Sequence, residues 1–438
     1  MRRWRGRRAV AVIVGLVVGC MAVLVGPGID AQPVDADLAT LLSLPDDEID
    51  EFLVTHEGVI FALLDEHPDE VAEWWGDLGD TARAALIASN PAIVGNLHGV
   101  DYASRDEANR ARLADRLDAA GKATAAHPDD TRAALLYAAL SAIHGATKGT
   151  HDPERHLVQL TDDVPPLASV AVGDLDTAQQ VTFAVPGMGT YSTDMQLWTV
   201  AAENIHRAQG RAGASPDRAV VAWIGYEVPP PGLDATEGSY AARGAPRLSS
   251  DILALRAARK GTGLDTVSVI AHSYGTTTAA NALAASELDV FSFVMLGSAG
   301  VEYRVGSVRS LSAAHVYAGE AAADDKAFLG RVARIDPRTP SFGAMIIGTD
   351  GDPSRGLVGV TGHEPVLHSS YNDDPTSKAW TTYDDPVERE NLYREHMRSF
   401  GYLDTGTESL ENAARASSRP VRVPGTSIGP ASTPATAG

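Results

Sequence analysis

The stretch Val267-Ser268-Val269-Ile270-Ala271-His272-Ser273-Tyr274-Gly275 constrains this chain more than any other. A short β-branched apolar run ends in a serine flanked by small residues, and Thr276-Thr277-Thr278-Ala279-Ala280 follows it. A strand that turns sharply into a helix at such a serine holds the Oγ clear of the backbone. The turn brings strand and helix together, so the positions two before and two after the serine need small side chains. Ala271 and Gly275 stand there, alanine replacing the more usual glycine. If Ser273 is to act, the chain must also supply an oxyanion donor upstream, then an acid and a histidine downstream.

The surrounding pattern supplies the frame. Strands are expected at Ala168 to Val172, Gln180 to Val185, Ala219 to Gly225, Val267 to Ala271, Val290 to Leu296, His315 to Gly319 and Ala344 to Gly348. Helical stretches fall between them around Met195 to Ala208 and Leu248 to Arg259. Strands alternating with helices mean βαβ units and a mostly parallel sheet. Apolar runs on both pleat faces suit a sheet covered on both sides.

The first part of the chain reads differently. Residues 35–150 form a helical region, with starts marked by Pro45-Asp46-Asp47-Glu48, Pro68-Asp69-Glu70, Asp80-Thr81 and Pro128-Asp129-Asp130. Trp74 and Trp75 are expected in its core rather than at a recognition patch. Before it, Met1 to Arg8 is strongly basic and Ala9 to Val25 almost wholly apolar. A basic n-region before an apolar run predicts export, with residues 1–31 as a signal peptide or signal anchor. The apolar run sits at the lower edge of bilayer-spanning length, which leaves membrane or cell-envelope association open. Cys20, the one cysteine, lies inside that run, so no intrachain disulfide forms, and lipidation there is a minor alternative. Residues 414–438, rich in Ser, Pro, Thr and Gly, are expected to be a disordered tail. A formal net charge of −21 argues against nucleic acid as a partner.

In an open α/β sheet, ligands gather beyond the carboxyl ends of the strands. Pro186-Gly187-Met188-Gly189 follows the Gln180 to Val185 strand, and its glycines let backbone approach a substrate. The expected oxyanion donors are the amides of Met188 (or Gly187) and Tyr274. Serine at neutral pH needs a histidine base that is itself oriented by a carboxylate. Asp324, just beyond the His315 to Gly319 strand, is the expected acid; Asp325 is its close competitor, and Asp336 and Asp352 are outside choices. His363 and His368 both fall in the loop where the base belongs, and spacing does not choose between them. His396 falls in a helical stretch and His272 beside the serine is read as packing. No clustered His, Cys and carboxylate set is visible, so no metal or cofactor is expected.

Several short runs, taken as an ordered set, resemble an actinobacterial α/β-hydrolase family formerly catalogued as a domain of unknown function. They are Val185-Pro186-Gly187-Met188-Gly189-Thr190, Ala222-Trp223-Ile224-Gly225-Tyr226, Gly244-Ala245-Pro246, His272-Ser273-Tyr274-Gly275, Gly297-Ser298-Ala299-Gly300 and His368-Ser369-Ser370-Tyr371. The resemblance implies an α/β-hydrolase fold with a mostly parallel sheet over 152–413, preceded by the helical region. It implies Ser273 as nucleophile, supports Asp324, and favours His368 because the family's late histidine sits in a G-H-S-x-Y-like run. Leu367 stands where that run has its glycine, and a long insertion, about Asn372 to Gly406, follows. The expected function is an exported serine hydrolase, carboxylesterase- or lipase-like, acting on a small-molecule ester or lipid-like substrate. An acyltransferase on the same triad and a catalytically silent envelope binding protein are the alternatives.

Overall fold

The computed structural model describes residues 34–56 and 58–420, so the expected signal segment 1–31 and Cys20 lie outside the described residues. Among the described residues eight α-helices come first: α1 (Val34–Leu41), α2 (Asp46–Thr55), α3 (Val59–Ala62), α4 (Pro68–Asp77), α5 (Asp80–Ser89), α6 (Pro91–Val94), α7 (Tyr102–Ala126) and α8 (Thr131–Thr147). The cap chemistry is local. Asp101 accepts from the Ser104 amide at the start of α7, and Asp130 from the Arg132 and Ala133 amides at the start of α8. Residues 35–150 divide in two by packing. α1 to α6 share their own apolar cluster around Leu41, Val71, Trp74, Trp75 and Leu86. α7 and α8 instead contribute Leu113, Leu140 and Ile143 to a core shared with the sheet.

The sheet has eight strands: β1 (Arg155–Leu160), β2 (Ala168–Val172), β3 (Gln180–Val185), β4 (Arg218–Ile224), β5 (Thr266–His272), β6 (Val290–Leu296), β8 (Ala313–Gly319) and β10 (Met345–Ile346). Their order is β1-β2-β4-β3-β5-β6-β8-β10. β2 runs antiparallel to both β1 and β4, and every other pairing is parallel. Two short strands, β7 (Val301–Glu302) and β9 (Arg334–Ile335), pair separately.

Period-two alternation decides what each face of the sheet packs against. Val181, Phe183 and Val185 of β3 and Val267, Val269 and Ala271 of β5 face one core, covered by α10 (Ser239–Ala258) and α11 (Tyr274–Ala285). Ala184 and Ile270 face the other, covered by α9 (Met195–Arg211), α14 (Glu408–Ser417), α7 and α8. Both faces are therefore dry, and burying a side chain such as Phe293 contributes about 1.5–3 kcal/mol. β1 is absent from the sequence reading because Arg-His-Leu-Val-Gln-Leu lacks a continuous apolar run. Its outward edge is closed by side chains: Leu157 N–H donates to Asp106, Leu157 C=O accepts from Asn109, and Asn96 pairs both backbone groups of Leu160.

Two further boundaries differ from expectation. α10 starts at Ser239 and carries Pro246 in its interior, where Gly244-Ala245-Pro246 had hidden the first half of the helix. The expected tail from 414 begins instead as the last turn of α14, where Ala414 and Ser417 are buried; residues 421–438 lie outside the described residues. Between β10 and α14 the chain makes a long excursion with α12 (Lys378–Thr381) and α13 (Pro386–His396). No helix among the described residues is long and apolar enough to cross a membrane.

Candidate active site

Ser273 sits between β5 and α11 with φ 53° and ψ −124°, a strained conformation for a side-chain-bearing residue. Its backbone is tied on both sides. Its N–H donates to Leu296 C=O at 3.0 Å, and its carbonyl accepts from the Ala299 amide at 3.2 Å and the Thr276 hydroxyl at 2.7 Å. Gly275 is required by the tightness of the turn, since a Cβ there would lie 2.4 Å from Pro186 O. Ala271 is fully buried in β5 between Val185 and Met295, so its methyl is absorbed by the sheet.

The histidine expected as base is where the structure departs from the sequence reading. His363, not His368, reaches the serine: Ser273 Oγ and His363 Nε2 are 2.8 Å apart. His363 Nδ1 lies 2.9 and 2.8 Å from the two oxygens of Asp324. His368 is turned away, its Nδ1 on Asp373 and its Nε2 on Ser399 C=O, both at 2.8 Å. The reason is tertiary. His272 Nε2–H donates to the His363 carbonyl at 2.7 Å, while Tyr402 N–H and Leu403 N–H hold the carbonyls of Glu364 and Pro365. These bonds fix the 363–365 backbone over the elbow. His272 is thus more than packing: burial pushes its imidazole down to about 3, which keeps it a neutral donor beside His363.

Asp324 sits beyond β8 with its side chain fully buried, whereas Asp325 is exposed. Asp336 is engaged by Arg331 and Arg338, and Asp352 accepts from Ser354. Burial alone would raise the Asp324 carboxyl. The hydrogen bond and charge of His363, the Tyr402 hydroxyl at 2.7 Å and the Ala327 amide at 2.9 Å outweigh it and hold the group at about 2. An ionised carboxylate can only accept, so Nδ1 of His363 carries a proton. In the neutral ring, Nε2 is then the acceptor for the serine hydroxyl. Tyr402 was not singled out by sequence reasoning, and no local signal links it to an aspartate 78 residues away.

The Pro186-Gly187-Met188-Gly189 loop lies directly against the elbow, since a Cβ on Gly187 would be 2.6 Å from Ser273 Cβ. Tyr226 Oη–H donates to Pro186 C=O at 2.8 Å, and Gly189 N–H to Pro229 C=O at 3.0 Å. The amides of Met188 and Tyr274 find no acceptor among the described residues. The Tyr274 ring is buried, its hydroxyl bonded to Glu237 C=O and the Ala241 amide, so that residue also anchors the loop before α10.

A family model described as "Alpha/beta hydrolase" matches residues 163–334, the stretch that runs from the connection between β1 and β2 to the first residue of β9. The chain has the α/β-hydrolase fold. An uncharacterized protein of Mycobacterium tuberculosis, known from two strains, is 27% identical over 298 residues, covering 60% of this chain. The chain spans 44% of that relative's length. Among solved structures, a Xanthomonas campestris α/β serine hydrolase without a lid is similar at 16% identity and a TM-score of 0.28, over 49% of this chain and 88% of its own. A carboxylesterase from Mesorhizobium loti is similar at 14% identity and a TM-score of 0.31, over 54% and 97%.

Proposed function

We propose that this α/β hydrolase is a serine esterase working through an acyl-enzyme. The observation that carries the proposal is the chain of short contacts from Ser273 Oγ to His363 Nε2 and from His363 Nδ1 to Asp324. In this mechanism Ser273 Oγ attacks the ester carbonyl as His363 Nε2 takes the hydroxyl proton. Asp324 stabilises the imidazolium and fixes the ring tautomer. Donors aimed at the developing oxyanion are worth several kcal/mol, and the amides of Met188 and Tyr274 fill that role. His363 then returns the proton to the leaving alkoxide, and a water, deprotonated by the same nitrogen, releases the acid.

Exposed apolar side chains on two turns that follow β4 and Asp324 support an ester with an apolar portion. The turn at Leu233–Thr236 after β4 meets the turn at Ala327–Arg331 after Asp324, and Arg334 bridges them through Ala235 C=O and Gly330 C=O. Leu233, Phe328 and Leu329 are exposed on these two turns. The basic and apolar N-terminus supports export of the enzyme to the envelope or beyond, and the ordered motif runs support membership of the actinobacterial family named above. The test is turnover of a chain-length series of chromogenic esters together with fluorophosphonate labelling of the full chain. Both are expected in the wild type and lost in Ser273→Ala; a wild type that neither labels nor hydrolyses any ester refutes the proposal.

A further inference from the structure

Five residues past His363, the excursion before α14 gathers a second set of imidazole and carboxylate groups that the esterase reading does not use. His368 Nδ1 and His396 Nε2 converge on one oxygen, Asp373 Oδ1, at 2.8 and 2.9 Å. The three ligand-type atoms all lie within 4.8 Å of one another, and all three side chains are partly buried. The sequence reading saw no such cluster, because His396 closes α13 while His368 and Asp373 stand on the loop before α12.

The surroundings have the form of a built site. His368 Nε2 faces Ser399 C=O at 2.8 Å, the second bond by which a metal-ligating histidine is oriented. That carbonyl can only accept, so the proton stays on Nε2 and the Nδ1 lone pair is the one available to an ion. Phe400 packs on the His368 ring and Trp380 on the His396 ring, at centroid distances of 5.0 and 5.1 Å. The backbone beneath is held by Asp404, whose carboxylate takes the amides of Leu367, His368 and Gly401. Tyr393 Oη–H donates to Asp373 C=O at 2.8 Å. On the outer side, His368 and Asp373 line a cleft of about 540 Å³.

We propose that His368, Asp373 and His396 form a three-ligand site for a zinc-class divalent cation, with a fourth position open to water from the cleft. Two nitrogens and one carboxylate oxygen suit zinc, while calcium and magnesium take oxygen sets. Zinc–ligand bonds of about 2.0–2.1 Å in tetrahedral array set neighbouring donors about 3.3 Å apart, so the ion enters after an opening of roughly 0.5 Å at Asp373. The ion ties the start of the excursion to its end, next to the segment that carries His363.

The experiment uses the untagged full chain, stripped with EDTA, dialysed and titrated with zinc chloride by calorimetry. One zinc per chain is expected, with a thermal midpoint that rises with zinc concentration. Asp373→Asn and His396→Gln are each expected to weaken zinc binding by about a hundredfold or more. Glu203→Gln, on the wall of the same cleft, leaves it unchanged. Circular dichroism of each variant separates loss of the site from loss of the fold. Absence of saturable one-to-one zinc binding overturns the proposal. So does an isotherm that neither ligand substitution moves, or magnesium or calcium binding as tightly as zinc.

Discussion

Substituting Gly187 by alanine probes the contact between the Met188 loop and Ser273, the proposed oxyanion loop and nucleophile. The added Cβ would lie 2.6 Å from Ser273 Cβ, 3.0 Å from His272 O and 3.2 Å from Ser273 Oγ. Packed carbons sit about 3.5–4.0 Å apart, so loop or serine must move by roughly 1 Å. Neither is free to do so. Pro186 is held by the Tyr226 hydroxyl, and Ser273 by bonds to Leu296, Ala299 and Thr276. The displacement therefore falls on the Ser273–His363 contact or on the Met188 amide. A misplacement of that size costs about 10²-fold in rate, or roughly 2.7 kcal/mol of barrier. Overpacking costs the fold about 1–3 kcal/mol in addition. Turnover of a chromogenic ester and the rate of fluorophosphonate labelling are measured on protein that urea titration shows to be folded. Gly362→Ala is the control beside His363: its Cβ meets nothing within 4 Å, and activity within about twofold of wild type is expected. If Gly187→Ala keeps its rate within about threefold of wild type, the close approach argued above is wrong.

Two further outcomes follow from the groups around Asp324. Tyr402→Phe keeps the buried ring but removes the donor to Asp324 Oδ2 and the acceptor for the Ala321 amide. Urea unfolding is expected to show a loss of about 2–4 kcal/mol, and unchanged stability contradicts that role. Asp324 is held at about 2, below the unfolded aspartate value of about 3.9, so its ionised form stabilises the fold above that unfolded value. This contribution disappears as pH falls through about 2. The stability difference between wild type and Asp324→Asn, followed from pH 5 downward, should therefore shrink; a difference that grows on acidification has the wrong sign.

Much of this arrangement was legible in the sequence because it rests on local rules. Ser273 follows from a β-branched strand ending between small residues, and the Met188 loop and Asp324 from their places just after β3 and β8. β6 matches its expected range of Val290 to Leu296 because every residue of it is apolar or small. What was not legible depends on contacts between distant segments. His363 and His368 stand in the same loop, and the choice is made by His272, Tyr402 and Leu403 gripping residues 363–365. One local signal did point to the right histidine: the glycine missing before His368 is present at Gly362. Likewise β1 is edge-paired and capped by side chains of α7, and His396 meets Asp373 only because α13 folds back.

The most direct test compares His363→Ala with His368→Ala in fluorophosphonate labelling of Ser273 on folded protein. His363→Ala is expected to label slower by about 10⁴-fold or more, as removal of a triad base does, and His368→Ala to label near the wild-type rate. Labelling that survives in His363→Ala, or that is lost in a folded His368→Ala, would contradict the assignment of His363 as the base.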